Sequence, residues 1–322
     1  MKDKKKNIGL IGAGSWGKNH LRSLENLGVL HSVLENSKKI TEQRQKEFPG
    51  IIFVDREDDF ISNEDIKGIV IAAPAEHHYN LTKKCLEAGK DVLVEKPLAL
   101  KVSEGEELVG IAEKNGRILM IGHILQYHSA VIKLKEMIDD GELGRIRYIY
   151  SNRLNIGKLR TEEDVLWSFA PHDISLIIMF MDGEEPLRIE AHGGSYLSRE
   201  IFDTTLTMIE FKNGVKGHVF VSWLHPFKEQ KLVVVGSEKM VVFDDISKEK
   251  LFIYPHKIKW EKGKLPVAEK ADYTTLDLEL KQPLEEELKH FIQCIQTRQT
   301  PKTDGREGLT VLKVLEAAQN KL

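Results

Sequence analysis

Three glycines spaced G-x-G-x-x-G, in Gly12-Ala13-Gly14-Ser15-Trp16-Gly17, follow directly on the apolar run Ile8-Gly9-Leu10-Ile11 and open a helical pattern. In that setting each glycine has its own duty. Gly12 makes a tight turn, Gly14 lets the backbone approach a pyrophosphate, and Gly17 lets helix and strand pack closely. Unpaired N–H groups and the positive end of the helix dipole then favour phosphate. The chemistry implied is the holding of a dinucleotide, with Gly12, Ala13, Gly14, Ser15, Trp16 and Gly17 lining it. Glu35 closes the next apolar run about 20 residues on, where a carboxylate hydrogen-bonds the ribose hydroxyls of NAD and repels the extra phosphate of NADP. Lys38 and Lys39 stand just beyond and offset part of that repulsion, so NAD is favoured over NADP without being imposed.

Glu95-Lys96-Pro97 ends a further apolar run, Asp91-Val92-Leu93-Val94-Glu95. In open α/β sheets, ligands lie in the crevice outside the carboxyl ends of the strands. Proline disfavours helical backbone at the residue before it, so the Lys96 ammonium is expected to aim into that crevice. A lysine partly desolvated beside a cationic nicotinamide ring holds its proton less tightly, which suits proton exchange with a hydroxyl. Ala73-Pro74-Ala75-Glu76-His77-His78 begins at another strand end. His78 there either touches the dinucleotide or simply starts a helix. No HExxH and no paired CxxC accompanies these histidines, so no metal site is expected.

The elements that must position these groups are legible as rhythm. Up to about residue 122, apolar runs alternate with amphipathic helical stretches: Gly68–Ala73, Asp91–Glu95 and Arg117–Gly122 are strands, with helices closed by Gly28, Gly89 and Asn115-Gly116. Ser103-x-x-Glu106 has the form of a capping box. Buried strands alternating with helices imply crossovers and a doubly wound parallel sheet, a Rossmann domain over residues 1–122. From about residue 145, strands follow one another with short turns, among them the hairpin signal Lys212-Asn213-Gly214. One long helical pattern, Glu162 to Met181, interrupts them, and the chain ends helically. Residues 123–322 are thus expected to form an α+β domain with a large, mainly antiparallel open sheet and C-terminal helices. The fold class is α/β.

Composition bounds the rest. The 322 residues are 41% apolar and 30% charged with a net charge of -3, the mixture of a globular chain and not one that seeks nucleic acid or acidic lipid. No apolar stretch is long enough for a signal peptide or a membrane span. The two cysteines, Cys85 and Cys294, are too few for a disulfide framework and read as buried thiols, so a cytoplasmic setting is expected.

The Gly-rich loop, the Ala73–His78 segment, Glu95-Lys96-Pro97, the helix bearing His172 and the helix start Asp304-Gly305-Arg306-Glu307-Gly308 together resemble the glucose–fructose oxidoreductase, inositol dehydrogenase and rhizopine-catabolism (Gfo/Idh/MocA) family over nearly the whole chain. The resemblance implies that Lys96 and His172 flank the substrate carbon that gives up hydride, and that Ala73, Pro74, His78, Glu95 and Lys96 join the cofactor site. Many members carry Asp one helical turn before the histidine; here that position is Ser168, expected to orient one of the two groups. Pro171 suggests a helix beginning near it, which would put His172 at a positive helix end that lowers its affinity for a proton. His172 is then either a neutral proton-transfer partner of Lys96 or a hydrogen-bond donor to the substrate hydroxyl. Asn155–Arg160 and Trp167–Asp173 are similar to the branch that oxidises C3 of UDP-N-acetylglucosamine or its uronic acid to a ketone. Arg153, Asn155, Lys158 and Arg160, on a loop leaving the first strand of the second sheet, suit a diphosphate. Asp173 is placed with them, and Gln126 and Tyr127 line a sugar pocket or act as hinge residues. Alternatives are a dehydrogenase of a free sugar or inositol, an NADP-dependent reductase, and a non-catalytic dinucleotide-binding regulator. The second sheet's exposed face is expected to make a homodimer or homotetramer.

Overall fold

The computed structural model describes residues 6–157, 163–260 and 262–322. Contacts divide the chain into two units, one comprising the chain up to Ile124 with Gln282–Leu312, the other Leu125–Lys281 with Lys313–Leu322.

In the first unit six short strands, β1 (Ile8–Ile11), β2 (Leu30–Leu34), β3 (Phe53–Val54), β4 (Gly68–Ile71), β5 (Asp91–Glu95) and β6 (Leu119–Gly122), pair in parallel in the order β3-β2-β1-β4-β5-β6. The intervening helices are α1 (Gly17–Asn26), α2 (Lys38–Glu47), α3 (Glu57–Ser62), α4 (His78–Glu87) and α5 (Val102–Lys114). Every residue of β1, β4, β5 and β6 is buried, as strands covered on both faces must be. The strand order reverses between β1 and β4, and their carboxyl ends open the crevice where such folds take ligands.

The second unit begins with α6 (Ser129–Asp139), β7 (Ile146–Leu154) and α7 (Val165–Phe180). Nine further strands follow: β8 (Arg188–Gly194), β9 (Thr204–Glu210), β10 (Lys216–Ser222), β11 (Glu229–Gly236), β12 (Met240–Asp244), β13 (Leu251–Tyr254), β14 (Lys257–Lys259), β15 (Val267–Glu269) and β16 (Thr274–Thr275). Seven of these join β7 in one eight-stranded sheet, β16-β13-β12-β11-β7-β10-β9-β8, while β14 and β15 pair with each other. Among the described residues of this sheet, only the β7–β10 pairing is parallel. Alternation along β9 and β10 buries Thr205, Thr207 and Ile209, and Gly217, Val219 and Val221, on the face against which α7 packs. Leu206, Met208, His218 and Phe220 on the other face stay half-buried.

Two closing helices complete the chain, α8 (Pro283–Thr297) and α9 (Gly305–Gln319). α8 and the start of α9 join the first unit, where a side chain at Gly68 would strike Ile295 of α8 and one at Gly308 would strike Ile121 of β6. Where the sequence led to all of the closing helices in the second domain, α8 and the start of α9 lie on the flank of β4 and β6, while Lys313–Leu322 group with the second unit.

Candidate functional site

The loop after β1 turns at Gly12, whose φ is +87°; a side chain there would meet the Ala72 carbonyl oxygen at 2.8 Å. Glu35 fixes this loop from β2: one carboxylate oxygen accepts from Ala13 N and the other from Ser37 N, both at 2.8 Å. Arg44 of α2, almost wholly buried, donates from Nε to the Ala13 carbonyl at 2.9 Å and from Nη1 to Glu47. Ala13 is thus held at both its N–H and its C=O. A cavity of about 530 Å³ adjoins the loop, lined by Gly12, Gly14, Glu35, Ala73, Pro74 and His77 among others. Trp16 stands at the N-cap of α1 without a capping side-chain bond, and the space beyond Gly14 is open to 4 Å. Uncapped helix N–H groups, an open Gly14 and a carboxylate at the rim fit the pyrophosphate and ribose of a dinucleotide. Ser15 is exposed on the same loop, while Lys38 and Lys39 are exposed and do not line the cavity.

At the end of β5, Glu95 is buried and bound on several sides. Trp16 Nε1 donates to it at 2.5 Å and His20 Nε2 lies 2.7 Å from the same oxygen. Burial alone would raise the Glu95 carboxyl, but hydrogen bonding and charge from His20, with help from Trp16 and Lys96, hold it below the ordinary value. Lys96 follows, half-buried, before a cis peptide bond to Pro97. His78 is enclosed: Nδ1 lies 2.7 Å from the Pro97 oxygen and Nε2 2.9 Å from the Ala73 oxygen. It clamps the turn after β5 to the loop after β4, and it is the neighbouring His77 that lines the cavity. Burial pushes the His78 ring below the ordinary imidazole value despite both carbonyls and the Glu95 charge.

In the second unit, α7 starts at Val165 with Asp164 as N-cap, its side chain accepting from Trp167 N. Pro171 lies inside the helix, so His172 is two turns in, and the expected dipole effect at a helix start does not apply to it. Ser168 and His172 sit one turn apart on the same face, Ser168 buried and His172 half-buried. Arg153 is the penultimate residue of β7 and not a loop residue. Its guanidinium is buried against Asp173, Nε to Oδ2 at 2.6 Å and Nη2 to Oδ1 at 3.3 Å, and Ser151 Oγ donates to the same carboxylate. The pair joins α7 to β7 through two of the groups expected to meet a substrate. Asn155, just past β7, is half-buried. Gln126 and Tyr127 are buried on a short 3-10 turn, Gln126 donating to the Ser175 oxygen of α7 at 3.4 Å. Lys158 and Arg160 lie outside the described residues.

Sequence reasoning passed over the roles of Arg44 and His20, while it set the His77-His78 pair at the mouth of the crevice, where His77 lines the cavity. Trp16 and His20 are four apart and so share a face of α1, which was the available signal. Arg44 gave none, because α2 is charged all round.

Residues 6–123 match the profile of an oxidoreductase family with an NAD-binding Rossmann fold, and residues 131–242 match the Gfo/Idh/MocA C-terminal domain. UDP-N-acetylglucosamine 3-dehydrogenase of Acidithiobacillus ferrooxidans is 25% identical over 310 residues, covering 94% of this chain and 93% of that protein. A solved structure of that dehydrogenase superposes with a TM-score of 0.85 at 22% identity, over 98% of this chain and 97% of the other. Myo-inositol 2-dehydrogenase of Thermotoga maritima is 23% identical over 333 residues, 98% of this chain and 96% of that protein. GenD2 from gentamicin A biosynthesis, solved in complex with NAD, superposes with a TM-score of 0.83 at 18% identity over 99% and 94% of the two chains. At such identities the structural likenesses speak for the fold alone.

Proposed function

The chain belongs to the Gfo/Idh/MocA oxidoreductases, and from that premise we propose that it oxidises a secondary hydroxyl, at C3, of a UDP-linked N-acetylated sugar. The observation that carries the reading is the end-to-end likeness to a UDP-N-acetylglucosamine 3-dehydrogenase, joined to a lysine at the end of β5 beside a loop built for a dinucleotide. NAD, when bound, supplies the hydride acceptor. Lys96, as the free amine, takes the hydroxyl proton while the carbon–hydrogen bond gives up its electron pair, leaving a ketone. His172 assists that proton transfer and Ser168 orients one of the two, the roles carried over from the resemblance. Asn155, Lys158 and Arg160 serve the diphosphate; Arg153, committed to Asp173, is left out of that set. The setting is cytoplasmic, consistent with free thiols at Cys85 and Cys294. Among the described residues no helix is long and apolar enough to cross a membrane. A homodimer or homotetramer forms through the half-buried face of the eight-stranded sheet.

The test mixes protein, NAD and a panel of UDP-sugars, free sugars and inositols and follows absorbance of the reduced cofactor. Turnover with a UDP-N-acetyl sugar is expected. Lys96→Ala should keep NAD affinity within about threefold while turnover falls by ~10²–10⁴-fold, the range for losing a general base. Near-normal turnover in that variant refutes the assignment. Turnover only with inositol favours the second reading, supported by the likeness to a myo-inositol dehydrogenase. NAD binding without any reduction favours a regulator.

A further inference from the structure

Glu95, which the resemblance places in the cofactor site, has its carboxylate engaged by the protein itself. Oε1 receives Trp16 Nε1 and His20 Nε2, and Oε2 lies 3.3 Å from the backbone nitrogen of Lys96. An ionised carboxylate only accepts, so His20 Nε2 carries the shared proton. Space for the group is built in: a side chain at Gly122 of β6 would sit 3.0 Å from the Glu95 carboxyl carbon. Burying a charge in this way is costly unless it is paired, and removing one partner strands the other.

We infer that Glu95 is a positioning residue for Lys96, tying the phosphate-facing loop at Trp16 to the turn at Lys96-Pro97 and fixing a negative charge beside the ammonium. The inference rests on Lys96 being the base of the proposed reaction. The titratable groups facing Glu95 are His20 on α1, Lys96 next in the chain, His78 on α4 and Glu287 on α8. Glu287 is wholly buried and neither of its oxygens has a hydrogen-bond partner among the described residues. Burial, followed by the Glu95 charge, raises it well above the ordinary carboxyl value, while Glu95 is held below it, so of the two Glu287 holds its proton the more tightly. Neighbouring carboxyls driven apart in this way take different roles.

The experiment reads Lys96 directly. Competitive acetylation across pH, quantified by mass spectrometry on the peptide bearing Lys96, gives its titration midpoint without any substrate. Glu95→Gln is expected to lower that midpoint by about one unit or more, since an adjacent carboxylate favours the charged amine. Glu287→Gln, at the carboxyl that holds its proton the more tightly of the two, should leave it in place. If Glu95→Gln alone fails to fold, the paired replacement His20→Leu with Glu95→Leu removes both buried partners together and should give the same lowering. A midpoint that stays put when the Glu95 carboxylate is gone, or one that falls equally in Glu287→Gln, overturns the inference. A midpoint that falls as expected while Lys96→Ala still turns over counts instead against Lys96 as the base.

Discussion

A side chain added at Gly17 would place its first carbon 2.1 Å from the Gly12 carbonyl oxygen, whereas one added at Gly14 meets nothing within 4 Å. Gly17→Ala should therefore damage the fold, by roughly 1–3 kcal/mol or more as overpacking does. Gly14→Ala should leave the melting temperature nearly unchanged and cost NAD ~100-fold in affinity, because its methyl occupies the approach of the pyrophosphate. Calorimetric melts and NAD titration of both variants separate the two. Glu287 supplies a pH test at the same scale. Its raised value in the fold contributes stability that is full below the ordinary carboxyl value of 4.5 and is lost as pH rises through the folded value. Glu287→Gln should accordingly melt higher than the parent near pH 8, with the advantage shrinking toward pH 5; a difference independent of pH would contradict this. The glycines were legible because their spacing encodes backbone geometry. The grip on Glu95 was not, since it depends on α1 lying against the end of β5, an approach between residues 75 or more apart in the chain.

Among the elements, α7 shows where local reading misleads. Pro171 suggested a beginning, but proline in mid-helix removes one N–H bond and is tolerated where packing outweighs that loss. Here 12 of the 16 residues of α7 are buried, Pro171 among them, and Asp164 caps the true start. Ser103 likewise lies within the first turn of α5, behind Lys101 at the N-cap, so the capping box is not formed. The alternating strands and helices of the first unit, by contrast, follow from long apolar runs that no other arrangement buries. The Arg153–Asp173 pair pins α7 to β7. Arg153→Met or Asp173→Leu alone should each cost about 3–5 kcal/mol by stranding a buried charge, while the double replacement should recover most of it. Chemical unfolding of the three variants measures this, and additive losses would mean the pair is not a unit.

At the scale of the molecule, the half-buried face of the eight-stranded sheet carries Leu206 and Phe220 directly opposite one another, with Met208 opposite His218. The proposed association between copies of the chain would cover this face. Sedimentation should show a dimer or tetramer, and Phe220→Arg combined with Leu206→Arg should dissociate it to monomers; a parent protein that sediments as a monomer rules the interface out. Why the C-terminal helices return to the first sheet could not be read from the sequence, because an amphipathic helix declares that it has an apolar face and not which surface will cover it.

That return has a consequence for biosynthesis. Residues up to 124 are synthesised before α8, whose Phe291 and Ile295 pack beside Gly68, and before Thr303, whose oxygen accepts from Ile121 N at 2.8 Å. The nucleotide-binding half is therefore completed only after translation of the other half has almost ended, so a nascent chain halted at Lys281 should expose the flank of β4 and β6 to chaperones and proteases.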